Sequence, residues 1–320
     1  MDLNRLHFLK NILYREPSFI SKYYLFHKNW GSDKVDYVYM ADGKMVHGGL
    51  FDRLKGAISI YALSKVHGKK FGIYFKEPFE LEKYLKPSTY DWKVEDNNVI
   101  YCYPISRPVI AYSENRRPNR LLKERKGQIH FYFGGDMLGF INQKYGTNFI
   151  WTSLFNELFT PSDILNNYVG SIIKDIGSSY NAVHLRFVNL LGDNIEKNRY
   201  PELEKEEKLK LIEYCVKRVS DLYILSQNDG RRLVVAADSK SFLEILKYQV
   251  PEVYIVSGDV NHLDKAENAS KDAFLKLFTD VFLLAGSEVV YSIIGKGLYS
   301  SAFPEYSAKI GGNMFVRVSI

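Results

Sequence analysis

Two groups able to hold an anion stand two residues apart in the stretch AVHLRFV, His184 and Arg186. They alternate with Val183, Leu185 and Phe187, so a strand through this stretch puts both on one face near its carboxyl end. A guanidinium presents a planar fork of donors that matches a phosphate, and it keeps its charge at any physiological pH. His184 reads either as a donor to a second phosphate oxygen or as a brace for the arginine. One such residue alone reads as a satisfied structural group. Two together, at a strand end, point to a ligand.

Other residues fall at comparable positions. AADS puts Asp238 and Ser239 directly after a strand, and Ser239 is also placed to cap the next helix. YSIIGKGLYSSAF carries Ser292, a glycine turn, and then Ser300 and Ser301 at a helix start. Hydroxyls and free backbone N–H groups at a helix start form an anion site, which the helix dipole reinforces. Each serine by itself is a simple cap; three strand ends converging in one domain suggest a nucleoside diphosphate. Earlier in the chain, the loop DGKMVHGGL supplies His47, Gly48 and Gly49, and Asp52 follows it. There is no GxxxxGK[ST] loop, since GKG ends in Gly297 where a hydroxyl would hold magnesium. No GxGxxG follows a strand, which argues against a dinucleotide redox enzyme. No HExxH, Cys/His cluster or DxD triplet suggests a metal site.

These residues need a frame, and the pattern predicts an α/β fold of two Rossmann-like domains facing across a cleft. In the first half, Val35 to Ala41 reads as a strand, and a helix follows with Leu54, Ala57, Ile58, Tyr61 and Ala62 on one face. Gly68 ends it, FGIYF is the next strand, and VIYCYPI and QIHFYFG are further strand candidates. WTSLFNELFTPSDILNNYVGSIIKDI reads as helical, broken near Pro161. The second half alternates strand and helix from NAVHLRFV to MFVRV, with apolar runs such as LVVAA that suit strands buried on both faces. Alternation of this kind implies parallel sheets with right-handed crossovers. The expected domains are residues 1–170 and 171–320. Ligands in such sheets bind beyond the carboxyl ends of the strands, and the expected site is the cleft between the domains.

Composition narrows the partners. The chain has 320 residues, 46% hydrophobic and 25% charged, with a net charge of +6. That charge suits an anionic ligand or an acidic membrane surface and does not imply nucleic acid. ENRRPNRLLKERKG concentrates Arg116, Arg117, Arg120, Lys123, Arg125 and Lys126, either as a solvated loop or as a site for phosphates, an anionic glycan or lipid headgroups. Two cysteines without CxxC spacing suit a reducing compartment. No window approaches ~18 consecutive apolar residues, and the N-terminus lacks a signal-peptide core, so the expectation is a cytoplasmic protein. Its basic, aromatic N-terminus leaves open peripheral association with the inner membrane.

HGGLFDRLKGAISIYALSKVHGKKFGI resembles the N-terminal glycine-loop-plus-helix block of the fucosyltransferase-like GT-B superfamily, which includes bacterial, nodulation-factor, core α1,6- and protein O-fucosyltransferases. AVHLRFVNLLGD is similar to its His-x-Arg segment, and DAFLKLFTDVFLLAGSEVVYSIIGKGLYSSAFPEYSAKIGG to its C-terminal helix–strand–Ser–helix block. The three occur in order and span most of the chain from about 40 to 312.

The resemblance implies an inverting mechanism with no obligatory metal or cofactor, and a GDP-sugar donor, typically GDP-fucose, on the C-terminal domain. It implies that Arg186 binds the diphosphate, that His184 supports it or contacts the donor, and that Asp238, Ser300 and Ser301 lie where nucleoside and phosphate are held. It places Asp52 in the glycine loop that packs over donor and acceptor. A base or acceptor-orienting carboxylate is also required, and Asp52, His47 and Asp193 are the candidates. HLRFVNLLGD departs from the shorter Arg-to-Asp spacing common in the family, which bears on Asp193 and on the donor. The expected activity is transfer of fucose to a glycan or lipid-linked glycan hydroxyl in envelope polysaccharide synthesis. The alternatives are a non-catalytic nucleotide-sugar or glycan-binding protein on the same fold and, more remotely, nucleic acid binding through the Arg116–Lys126 loop.

Overall fold

Strand and helix alternate as the apolar patterning requires, and the computed structural model describes residues 15–25, 35–111, 118–177, 179–193, 201–256 and 271–320. The chain divides into two units, Met1–Thr160 and Pro161–Ile320.

The first unit runs α1 (Glu16–Tyr23), β1 (Tyr37–Ala41), α2 (Leu50–His67), β2 (Phe71–Phe75), β3 (Leu85–Pro87), β4 (Ser106–Ala111), α3 (Pro118–Leu121), β5 (Gln128–Phe133), α4 (Leu138–Tyr145) and α5 (Trp151–Leu158). Four strands form a parallel sheet in the order β2-β1-β5-β4. Every residue of β1 and β5 is buried, as strands covered on both faces must be. Helix α2 is buried over most of its circumference, and Gly68 closes it at φ 62°. A β-carbon on Gly56 would lie 2.2 Å from the carbonyl oxygen of Phe133, so glycine lets α2 press directly on β5.

VIYCYPI, expected as a strand, forms none; the strand lies just after it, at β4. Local side chains satisfy its backbone instead. Ser106 Oγ accepts from Cys102 N at 3.1 Å and donates to Ile100 O, while Gln128 Oε1 accepts from Ile100 N at 2.7 Å.

A short strand, β6 (Phe159–Pro161), precedes the second unit's α6 (Asp163–Ile176), β7 (Tyr180–Leu185), α7 (Lys205–Asn228), β8 (Arg232–Ala237), α8 (Lys240–Gln249), β9 (Tyr254–Ile255), α9 (Lys271–Ala285), β10 (Val289–Ile294), α10 (Ala302–Gly311) and β11 (Met314–Ser319). Five parallel strands take the order β11-β10-β7-β8-β9. A division at 170/171 would cut α6. This helix is capped by Ser162 Oγ, which accepts from Leu165 N at 3.3 Å, and it packs on α9, so it goes with the second unit.

Both sheets reverse strand order once, between β1 and β5 in the first unit and between β7 and β10 in the second. Chain leaving neighbouring strands in opposite directions opens a crevice at each reversal, beyond the carboxyl ends. His47 and Asp52 follow β1, and His184 and Arg186 sit at the end of β7.

Candidate active site

In the second unit, β7 stops at Leu185 and Arg186 is the next residue. Its Nη1 lies 3.1 Å from Asp238 Oδ2, and 18% of its side chain remains exposed. Asp238 comes immediately after β8 and is buried. It accepts from Phe187 N at 2.6 Å through Oδ1 and from Val188 N at 2.8 Å through Oδ2. Burial pushes its carboxyl above the ordinary range, against the pull of Arg186 and the two amides. Both oxygens are therefore engaged from within the unit, and what this geometry gives Asp238 is the placing of Arg186. Val188 holds φ at 56°, a left-handed conformation that costs a β-branched residue about 1–3 kcal/mol. The Asp238 carboxylate fixes it from one side. Phe187, whose ring centre is 4.8 Å from that of Phe242, anchors it in the core.

His184 is 7% exposed and stacks on Phe303 with ring centres 5.1 Å apart. Among the described residues its Nδ1 finds no hydrogen-bond partner. Burial, together with the charges of Arg186 and of Lys276 on α9, lowers its pKa to about 3. It is thus a neutral imidazole, able to give or take a hydrogen bond but adding no charge. In register, His184 pairs with Ser292 on β10 and with Ala236 on β8. Ser301 Oγ caps α10 by accepting from Phe303 N at 3.1 Å; Ser300 before it is exposed. Tyr299 N donates to Arg186 O at 3.0 Å, which ties the approach to α10 to the end of β7. Arg186, His184 and the start of α10 are in this way brought to one edge.

Ser239 and Asp193 are placed differently. Ser239 is fully buried; its hydroxyl accepts from Phe242 N at 3.1 Å and donates to Asp193 Oδ2 at 2.7 Å. The same oxygen accepts from Ser241 N at 3.0 Å and Ser241 Oγ at 2.8 Å. The start of α8, where an external anion would sit, already carries the chain's own carboxylate. The longer spacing between Arg186 and Asp193 has a structural cause: Phe187, Leu190 and Leu191 fill the core of this unit.

In the first unit, the crevice between β1 and β5 is a cavity of about 190 Å³ whose lining includes Met45, His47, Gly48, Asp52, Tyr132 and Gly134. Buried Arg53 holds the glycine loop, donating through Nε to Gly48 O at 2.9 Å and through Nη1 to Glu77 O at 2.5 Å. Gly48 turns at φ 76°, and a β-carbon there would come 2.9 Å from Asp52 Oδ2. Gly49 is the N-cap residue of α2. Asp52 is 49% exposed, with Oδ1 at 3.0 Å from Lys55 Nζ. The His47 side chain is buried and its ring lies nearly parallel to that of Tyr132, at 22°.

One residue of this site was not anticipated. Asp42, 2% exposed in its side chain, accepts from Lys44 Nζ at 2.9 Å, from Tyr101 OH and from Tyr132 OH at 2.8 Å each, and its Oδ1 is 3.8 Å from His47 Nε2. Burial alone would raise its pKa, but the charge of Lys44 and the bonds from Lys44, Tyr101 and Tyr132 hold it below the ordinary value. A signal for it exists in the sequence: Ala41-Asp42 after β1 repeats Ala237-Asp238 after β8.

The basic stretch is partly internal. Arg125 donates to the carbonyls of Leu121, Lys123 and Arg120, and Arg120 pairs with Glu16. Arg116 and Arg117 lie outside the described residues, as does most of the N-terminal segment. Among the described residues no group of three or more His, Cys, Asp or Glu is placed to hold a metal ion, and no helix is long and apolar enough to cross a membrane.

Compared with solved structures, the chain is similar to the α-1,6-fucosyltransferase NodZ co-crystallised with GDP, with TM-score 0.53 and 13% identity over 86% of this chain and 92% of that one. The fold is that of the fucosyltransferase-like GT-B glycosyltransferases. NodZ from Bradyrhizobium, as its selenomethionine form, gives TM-score 0.53 and 14% identity over 86% of this chain and 92% of that one. NodZ soaked with GDP-fucose gives 0.50 and 14% over 87% and 93%. No protein-family profile and no curated protein sequence matches the chain. The GT-B likeness thus rests on three dimensions, with the two parallel sheets and their crevices as its content.

Proposed function

We propose that the chain is an inverting glycosyltransferase that transfers fucose from GDP-fucose to a hydroxyl of a glycan or lipid-linked glycan, without a metal. The observation that carries this reading is Arg186, partly exposed at the strand-order reversal of the second unit and aimed by a buried aspartate. Breaking the bond between sugar C1 and the diphosphate oxygen places negative charge on the departing GDP. A fixed guanidinium stabilises that charge as it forms, aided by the amides at the start of α10. Neutral His184 offers a hydrogen bond, and Ser300 and Ser301 offer hydroxyls. The second unit is then the donor side, and the first unit, with His47, Asp52 and the Gly48-Gly49 turn, the acceptor side. Asp238 supports Arg186 from beneath, while Ser239 caps α8. NodZ, which shares the fold, was crystallised with GDP and soaked with GDP-fucose, and this favours the same nucleotide here. The reading places the protein in cytoplasmic polysaccharide synthesis.

The experiment is a thermal-shift panel of GDP, UDP, ADP, CDP and their sugar conjugates. A selective rise with GDP and GDP-fucose, growing with occupancy, is expected. A response to another base, or to none, contradicts the donor assignment. A GDP response with no turnover of GDP-fucose in any acceptor mixture turns the reading into that of a nucleotide-sugar-binding protein.

A further inference from the structure

The first unit offers two groups for the proton that the acceptor must lose, and their surroundings separate them. Asp52 lies in the first turn of α2 with a cation in front of it, its Oδ1 at 3.0 Å from Lys55 Nζ. His47 has the opposite setting, because the buried carboxylate of Asp42 stands behind it.

The two oxygens of Asp42 divide their partners. Oδ2 accepts from Lys44 Nζ, Tyr101 OH and Tyr132 OH. Oδ1 accepts from Lys44 N at 3.1 Å and faces His47 Nε2 at 3.8 Å. The ammonium and both phenols thus gather on one oxygen, and the other is turned to the imidazole. A separation of 3.8 Å is an ionic contact rather than a hydrogen bond, and it strengthens when the ring gains charge. Tyr132 both donates to Asp42 and lies against the His47 ring, so one side chain fixes the two partners.

We infer that Asp42 is a positioning residue that orients His47 and stabilises its charged form, making His47 the group that takes the proton of the acceptor hydroxyl; this rests on the glycosyltransferase reading above. In the step, the acceptor O–H proton passes to the His47 imidazole as the acceptor oxygen bonds to sugar C1. The bond from C1 to the diphosphate oxygen breaks, and its electron pair leaves with GDP. The imidazolium then returns its proton to water. Asp52 is left to accept a hydrogen bond from the acceptor.

Among the described residues, the charged and titratable groups around His47 and Asp42 include Lys44 in the loop, Asp52, Arg53 and Lys55 on α2, His130 and Tyr132 on β5, Tyr101 from the turn before β4, Tyr24 after α1 and Tyr74 on β2. Among the described residues, Asp42 is a carboxylate that faces the imidazole from the buried side, with Oδ1 at 3.8 Å from Nε2. Its removal therefore makes His47 harder to protonate, and the Lys44 ammonium then acts unopposed in the same direction.

The test follows the His47 ring by NMR of the full chain labelled in histidine, with the signal assigned by its loss in His47→Gln. In Asp42→Asn, His47 titrates at lower pH than in the wild type. In the transfer assay with GDP-fucose, the acid limb of the kcat/KM profile moves down with it. kcat falls by about 10- to 100-fold, within the range for a general base, while KM for GDP-fucose is unchanged. Asp42→Glu recovers part of both. A double variant, Asp42→Asn with Lys44→Met, removes the stranded ammonium as well and gives a smaller shift in the same direction, which serves as the readout if the single variant is unstable. Unchanged His47 titration in both variants overturns the proposal. Shifted titration in the variants, with a wild type that neither binds GDP nor turns over GDP-fucose, overturns the proton-transfer role, and there the fault lies in the donor reading and not in the Asp42–His47 coupling.

Discussion

Each unit sets an aspartate with a buried side chain one residue beyond an interior strand, Asp42 after β1 and Asp238 after β8. Around Asp42 the donors are mostly side chains, an ammonium and two phenols on one oxygen, with the main-chain N–H of Lys44 on the other. Around Asp238 they are the main-chain N–H groups of Phe187 and Val188 and the Arg186 guanidinium. A carboxylate held mainly by side chains can pass its charge to an imidazole. A carboxylate held by backbone ties down the path of the chain, and here it bonds the amides of Phe187 and Val188, the latter at positive φ, and holds Arg186 at 3.1 Å. The first arrangement is a charge reservoir; the second is a bracket for a cation. The opposite pKa directions of the two aspartates, Asp42 down and Asp238 up, express the same contrast.

Removing the bracket should have the largest effect on the fold. Asp238→Ala leaves the buried amides of Phe187 and Val188 without this acceptor and removes the carboxylate at 3.1 Å from Arg186, and should destabilise the protein by about 3–5 kcal/mol in urea unfolding. A loss below about 1 kcal/mol would mean that the loop from Phe187 to Val188 holds its path unaided, and the distinction between bracket and reservoir would fail.

Acid should act next. His184 in the second unit and His130 in the first stay neutral in the fold down to a pKa of about 3, each lowered chiefly by burial, while an exposed imidazole takes its proton near 6.5. The unfolded chain therefore binds more protons across that window. Stability is full above about pH 6.5 and declines as pH falls towards 3, by up to ~1.4 kcal/mol per pH unit for each histidine. His184→Gln should flatten part of that slope in melting curves and leave the part due to His130; an unaltered slope would deny that His184 is buried neutral.

The smallest effect sharpens the contrast inside the second unit. Asp193→Ala removes the carboxylate seated on α8 and should cost about 1 kcal/mol, as loss of a helix-start interaction does. Affinity for GDP should be unchanged, because the site assigned to the donor lies at β7 and α10. A large gain or loss of GDP affinity would move the phosphate site to α8.

Much of this was legible in the sequence, for identifiable reasons. Buried parallel strands and amphipathic helices impose different periods, so β1, β2, β5, β7, β8, β10 and the long helices stand out. His184 and Arg186 are two apart on a strand, and period two alone puts them on one face. Long-range side-chain pairing leaves no such trace. Asp42 meets Tyr101 and Tyr132 from distant segments, and Asp193 folds back on Ser239 and Ser241 across forty-odd residues. The sequence shows Ser239 as a cap and hides its second bond. VIYCYPI has strand-like residues, yet Ser106 and Gln128 satisfy its backbone and tertiary contacts override propensity.

The central claim is that a fixed positive charge at the end of β7 stabilises the diphosphate leaving a sugar. Turnover of GDP-fucose by Arg186→Ala, measured beside Arg186→Lys and the wild type in a protein whose melting point is checked, tests it directly. The account predicts a fall of about 10²–10³-fold or more for alanine, with partial activity kept by lysine. Near-normal turnover in Arg186→Ala would contradict it.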